Sequence, residues 1–315
     1  MATICKKTVK LNSGYEMPML GLGTFRASND DGYKAILHAL KIGYRHLDTA
    51  TMYENEKEVG QAIKDSGIPR EEIFLTTKLN NRDHRHPAKA LDESLERLGV
   101  DYVDLYLMHW PVPLKDHGTE VIPRDADGYR DTDFEWSHVK TWELMQELPK
   151  TGKVRSIGVS NYDTVLYDEL LNAPTTKITP AVNQVELHPY LPEFKLVEIS
   201  REKGIVLTAY CPLGAAEVPV IQDEDVVRLA EKYNVTPAQV VLSWDIQRGV
   251  VAIPKSATPS RLESNLKTIN LAPEDLELVS NLYKKQHFRR CRFDWRIKMH
   301  HDDDDWYDGN PPPKK

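Results

Sequence analysis

One feature constrains this chain more than any other: a repeated alternation. Short apolar, β-branched runs give way to longer segments of helical period from residue 19 to about residue 284. The candidate strands are Met19–Gly23, Arg45–Asp48, Ile73–Lys78, Val103–His109, Ser156–Ser160, Ala181–Val185, Ile205–Tyr210 and Val250–Pro254, eight in all. Several are apolar throughout, the pattern of strands covered outside by helices and packed inside. Between them, Tyr33, Ile36, Leu37 and Leu40 follow the i, i+3, i+4, i+7 stripe of an amphipathic helix. So do Val226, Leu229, Ala230 and Tyr233, while Ala88, Leu91, Leu95 and Leu98 make a similar face. Thr236-Pro237-Ala238-Gln239 has the hydroxyl, proline and reciprocal glutamine of a helix start, and Thr258-Pro259 repeats the cap and proline.

Strict alternation of this kind implies a parallel sheet, either open and doubly wound or closed. Gly21-Leu22-Gly23-Thr24 lacks the third glycine of a dinucleotide fingerprint and does not open directly into a helix, which weakens the open reading. Eight strands spread over such a length fit a (β/α)8 TIM barrel better. One such domain is expected over residues 1–297, including a C-terminal loop at about 285–297. Residues 298–315 form an acidic, proline-ending tail with little to bury, expected to be disordered. Residues 111–134 make a long polar insertion of the kind that covers a site.

Composition narrows the function classes. A formal net charge of −7 argues against a nucleic-acid binder, which needs a basic surface. Cys5, Cys211 and Cys291 are too few and too scattered for a disulfide framework, and no Cys/His cluster suggests zinc, so a metal is not expected. Neither a secretory signal nor a membrane span is read from the sequence, and a cytoplasmic protein with no membrane partner is the expectation.

In a barrel, the loops at the carboxyl ends of the strands build the site. Asp48 ends the second strand, Tyr53 lies in the loop after it, Lys78 ends the third strand and His109 the fourth. Taken singly, each has a plain structural explanation: a cap, a packing tyrosine, a snorkelling lysine, a core histidine. Together they make a proton-transfer group. A free tyrosine titrates near pH ~10, a neighbouring ammonium favours its phenolate, and a carboxylate keeps that ammonium charged. Asp48–Lys78–Tyr53 would then be a tuned general acid, with neutral His109 orienting a carbonyl oxygen. Such a site holds no hydride, so a nicotinamide cofactor is required.

Several motifs carry a resemblance. Gly43-Tyr44-Arg45-His46-Leu47-Asp48-Thr49-Ala50, Tyr53-Glu54-Asn55-Glu56, Leu107-Met108-His109-Trp110-Pro111, Gly158-Val159-Ser160-Asn161-Tyr162, Asn183-Gln184-Val185-Glu186-Leu187-His188-Pro189 and Ile253-Pro254-Lys255-Ser256 are similar to the aldo-keto reductase family, in order, from about residue 8 to 285. The stretch from Thr141 to Lys153 resembles in particular the fungal branch of NADP-dependent glycerol dehydrogenases and glyceraldehyde reductases. The resemblance implies Asp48, Tyr53, Lys78 and His109 as catalytic tetrad and NADPH/NADP+ as cofactor. It implies Ser160, Asn161 and Gln184 at the carboxamide, Tyr210 stacked on the nicotinamide, Pro212, Leu213 and Gly214 over the pyrophosphate, and Thr24 as a further cofactor-binding residue. Lys255, Ser256 and Arg261 would surround the 2′-phosphate, near the start of a helix at about Pro259, with Asn265 by the adenine.

The sequence departs from the family pattern at Ser264, where glutamate is frequent, and at Phe25 and Asn80, where tryptophan is common. Phe25, Asn80 and Trp110 are thus the expected substrate contacts, in a roomier and more polar pocket. The arginines of His287–Trp295 would attract a polyol-like or anionic substrate, unless they are simply exposed. The expected function is reduction of aldehydes or ketones to alcohols by a monomer acting on a small carbonyl substrate, glyceraldehyde and glycerol among the possible pairs. A uronic acid or sugar reductase, a non-enzymatic NADPH-binding scaffold and a Schiff-base aldolase using Lys78 are the alternatives.

Overall fold

A computed structural model describes residues 1–214, 220–297, 299–301 and 304–305. Eight strands form one sheet: β1 (Leu22–Gly23), β2 (His46–Asp48), β3 (Phe74–Leu79), β4 (Val103–Met108), β5 (Val154–Ser160), β6 (Val182–Glu186), β7 (Val206–Tyr210) and β8 (Val251–Ala252). Each lies parallel to its neighbour in sequence. The ring closes where Leu20 bridges Ala252, Gly21 N donates to the Ala252 carbonyl at 2.9 Å and Gly23 N donates to the Pro254 carbonyl at 3.1 Å. The eight strands therefore match the sequence reading, with ends displaced by at most three residues, as fraying termini allow.

Glycine is needed at that seam. A Cβ on Gly23 would stand 2.8 Å from the Ile253 carbonyl oxygen, and one on Gly21 would stand 2.6 Å from the His46 ring. The Gly-Leu-Gly sequence thus serves barrel closure.

The main helices are α1 (Asn29–Ile42), α2 (Glu56–Ser66), α3 (Pro87–Leu98), α4 (His138–Met145), α5 (Thr164–Leu171), α6 (Phe194–Glu202), α7 (Glu224–Tyr233), α8 (Pro237–Gln247), α9 (Pro259–Asn265) and α10 (Pro273–Ser280). α8 opens with the expected reciprocal capping pair, Thr236 with Gln239, a device worth about 1 kcal/mol. Thr258 occupies the same position before α9 but makes no side-chain cap bond. In α3 the buried face carries Ala90, Leu91, Leu95 and Leu98, while Ala88 points to solvent. Leu91, Leu95 and Leu98 keep the expected stripe, and only its first position differs, with Pro87 and Ala90 buried in place of Ala88.

A hairpin of Thr8–Lys10 with Glu16–Pro18 covers the amino end of the barrel, with Met17 buried beneath it. Above the carboxyl end, Trp110, Val112, Leu114, Trp295 and Met299 form a second, smaller core. This cluster joins the residue 111–134 insertion to the C-terminal segment. The expectation of a disordered tail falls largely outside the described residues. Within them, Met299 is buried and His300–His301 pairs antiparallel with Asp304–Asp305. Among the described residues, no helix is long and apolar enough to cross a membrane.

Candidate active site

Asp48 is the last residue of β2, Lys78 lies one residue before the end of β3 and His109 follows β4 directly. Tyr53 ends the single 3-10 turn, Thr51–Tyr53, that leaves β2. Parallel register carries all four to one rim. The Lys78 ammonium donates to Asp48 Oδ1 at 2.5 Å, to the Thr49 carbonyl at 2.9 Å and to the Tyr53 hydroxyl at 3.3 Å. The Tyr53 and His109 rings meet edge to face with centroids 5.6 Å apart. Phe25 packs on the other side of Tyr53 at 5.1 Å and is 45% exposed, so it lines the opening.

Burial sets the protonation states. Loss of water pushes the Tyr53 phenol well above its ordinary value, and the Asp48 charge adds to this. The expected lowering by Lys78 does not prevail, because that ammonium is already shared with Asp48 and Thr49. The phenol accordingly rests as an acid with its proton in place. Burial lowers the Lys78 value while Asp48 opposes that shift. Burial, then the Lys78 charge, holds His109 well below the usual imidazole range, so it is neutral near physiological pH. Lys78 is fully buried with three partners, which leaves no free amine for Schiff-base chemistry.

A second polar group adjoins the first. Ser160 Oγ donates to the Gln184 carbonyl at 2.7 Å, and Asn161 Nδ2 donates to the His109 carbonyl at 2.9 Å. Tyr210 donates its hydroxyl proton to Asn161 Oδ1 at 2.8 Å, and Gln184 Nε2 donates to Asp48 Oδ2 at 2.6 Å. Asn161 adopts φ 62°, in the left-handed region that asparagine tolerates better than most residues. Pro212 and Leu213 lie within a tight turn in which Gly214 N returns to the Cys211 carbonyl at 2.8 Å. Lys255 and Arg261 are exposed, Ser256 is half-buried and Asn265 is buried on the inner side of α9. Among the described residues, neither Lys255 nor Arg261 has a carboxylate partner.

Two of the expected contacts also carry structural bonds. Thr24 is fully buried, and its hydroxyl and amide both bond the Asp48 carbonyl, at 2.9 and 3.0 Å. It fixes the strand end that carries the carboxylate. Asn80 is also fully buried, donating to the Val121 carbonyl at 2.9 Å and accepting from Asn81 N at 2.7 Å. These two bonds pin the insertion to the end of β3. Trp110 packs against Trp295 and Phe293 with centroids 5.2 and 5.3 Å away.

Among the arginines of the C-terminal segment, Arg292 is exposed, whereas Arg289 departs from expectation. Arg289 is buried, paired with Glu193 at 2.5 Å, and is committed to structure. Glu186, buried at the end of β6, accepts from Arg290 N at 2.8 Å and from Cys291 N at 2.7 Å. Sequence reasoning assigned no role to Glu186, although a carboxylate at the carboxyl end of a barrel strand was the available signal.

The description of the aldo/keto reductase family fits residues 19–284. The chain belongs to the aldo/keto reductase family. This family member is 52% identical to aldehyde reductase YPR1 of Saccharomyces cerevisiae, over 88% of this chain and 91% of that protein. It is 50% identical to glycerol 2-dehydrogenase (NADP(+)) of the same organism, over 90% of this chain and 93% of that protein. Its fold is similar to that of the aldose reductase from Schistosoma japonicum, with a TM-score of 0.84 and 37% identity, over 91% of this chain and 94% of that one.

Proposed function

We propose that this chain reduces aldehydes or ketones to alcohols with NADPH, small hydroxy-aldehydes such as glyceraldehyde being the substrate class. The observation that carries this reading is the Lys78 ammonium bonded at once to Asp48 and to the Tyr53 hydroxyl, beside neutral His109. The names of the two yeast relatives support the reaction class and the choice of cofactor.

The residues at hand fit such a cofactor. Ser160 spends its proton on Gln184, so its oxygen retains a lone pair for an amide donor. Tyr210, half-buried at the end of β7, offers an aromatic face. Lys255 and Arg261 offer exposed cationic heads that suit a phosphate. When bound, the cofactor supplies the hydride.

The chain supplies the rest. His109, neutral, donates a hydrogen bond to the substrate oxygen and holds it beside Tyr53. The phenol gives that oxygen its proton as negative charge develops there. Lys78, held by Asp48, then stabilises the phenolate left behind. Trp110 and Phe25 bound the pocket and exclude water. Action as a cytosolic monomer is part of this reading; for the compartment, its support is that the three cysteines form no disulfide.

Tyr53→Phe tests it. The variant should bind NADPH as the parent does and oxidise it with an aldehyde at a rate reduced by about 10²-fold or more. Turnover equal to that of the parent would overturn the assignment.

A further inference from the structure

Two of the three cysteines, widely separated in sequence, are brought together at the barrel mouth. Cys211 follows Tyr210 directly and holds φ 50°, a left-handed conformation unusual for a residue other than glycine. Cys291 belongs to the C-terminal segment, where Glu186 grips its backbone amide at 2.7 Å. Tyr210 stands opposite Glu186 in the sheet, so Cys211 and Cys291 flank the same carboxylate, and both are half-buried, within reach of small solutes. Arg290 Nη1 lies 4.0 Å from Cys211 Sγ. Both sulfurs are near enough to Tyr53 for their charge to bear on its phenol. The proton-transfer chemistry uses neither.

The two thiols are not equivalent. The Cys291 S–H and the Arg290 guanidinium both favour a thiolate at Cys211 and draw its pKa down. Cys291 is pushed up, by that same bond and by burial. Cys211, with the Arg290 guanidinium beside its sulfur, is placed to act as nucleophile, and Cys291 as the resolving thiol.

We propose that Cys211 and Cys291 form a reversible disulfide when a peroxide is present, clamping the C-terminal segment across the mouth of the site. The Cys211 sulfur attacks one peroxide oxygen, the O–O bond breaks and hydroxide leaves, taking up a proton to become water. Cys211 is then a sulfenic acid. The Cys291 sulfur attacks it, losing its proton, and the S–O bond breaks to release a second water. The peroxide is reduced, the thiol pair is oxidised and one S–S bond has formed. The latch is already in place without the covalent bond. Glu186 holds the amides of Arg290 and Cys291, Arg289 pairs with Glu193, and Phe288 N donates to the Tyr190 carbonyl at 3.2 Å. A covalent link from this segment to the residue after Tyr210 would hinder the opening that substrate and cofactor need.

The test treats the reduced, full-length chain with hydrogen peroxide. Free thiols should fall from three per chain to one, and a digest should contain a peptide linking Cys211 to Cys291. Hydrogen exchange in residues 285–297 should slow and aldehyde turnover should drop, with dithiothreitol restoring both. The fractional loss of turnover caused by peroxide should be smaller and not reversible in Cys291→Ser, and unchanged in Cys5→Ser. An unchanged thiol count, a link made through Cys5, or a link that leaves exchange and turnover as they were would each overturn the proposal. The thiol count and the linked peptide are independent of the proposed reductase activity.

Discussion

Gln184 Nε2 donates a hydrogen bond to Asp48 Oδ2 at 2.6 Å, across 136 residues of sequence. The other oxygen of the same carboxylate accepts from Lys78 at 2.5 Å. One buried carboxylate therefore links the proton-donating group to the polar cluster beside it. Replacing Gln184 with Leu leaves a buried acceptor unpaired, at a cost of about 1–3 kcal/mol. Part of that cost should fall on Lys78 alignment, so kcat should decrease along with the urea midpoint. A variant with parental kcat and impaired cofactor binding alone would show that the link to Asp48 has no catalytic consequence.

Buried neutral histidines make this fold acid-sensitive. Burial holds His46 down to about 4 and His84 to about 3, and His109 is also well below its ordinary value. The unfolded chain binds protons at these positions near pH ~6.5, whereas the folded chain does not. Stability is therefore complete above that value and is lost as the pH falls toward about 4, at about 1.4 kcal/mol per pH unit for each such histidine. Urea unfolding followed from neutral to mildly acid pH should show the decline, and His46→Gln should flatten it by one proton's share. An identical slope in parent and variant would contradict the burial of a neutral ring at position 46.

The helical stripes and strand runs were legible because periodicity records which face is buried, and this needs no knowledge of partners. Hence the eight strands were found, and the faces of α1 and α7. The stripe of α3 was found at Leu91, Leu95 and Leu98 but not at its first position, because Pro87 opens the helix there and Ala88 falls on the exposed side. The rim positions of Asp48, Tyr53, Lys78 and His109 followed from strand ends alone. Pairings across long separations did not follow. Arg289 with Glu193, Asn80 with the Val121 carbonyl and Gln184 with Asp48 depend on how loops cross the mouth. The upward displacement of Tyr53 was missed for a related reason: a charge neighbour is visible in sequence, whereas the loss of water around it is not.

Arg130 fastens the insertion to the C-terminal segment. Its guanidinium lies 4.9 Å from the Phe293 ring centre and 4.6 Å from that of Trp295, and Nη1 donates to the Asp294 carbonyl at 3.0 Å. Thr132 adds a bond to the Trp295 carbonyl at 2.7 Å. Arg130→Met keeps the bulk and removes the cation, forfeiting about 1–2 kcal/mol of stacking at this partly desolvated position. Residues 285–297 should then exchange hydrogen faster and the aldehyde KM should rise, with global stability little changed. Unaltered protection of that segment would mean that Trp110 and the smaller core suffice to hold it.

Lys255 and Arg261 stand exposed at the rim beyond β8, in a chain of net charge −7. An overall acidic protein gains affinity for a phosphate only by gathering cations locally. If these two side chains meet the 2′-phosphate, each charge-assisted bond contributes about 1.5–3 kcal/mol toward NADPH and nothing toward NADH. Arg261→Ala should raise the Kd for NADPH by about 10- to 100-fold while the Kd for NADH stays the same. Lys255→Met should act in the same direction, and the double variant should bring the two affinities close together. Fluorescence titration with each cofactor reads both constants directly. Equal weakening for NADPH and NADH would place these cations on the shared pyrophosphate and remove them as the source of discrimination.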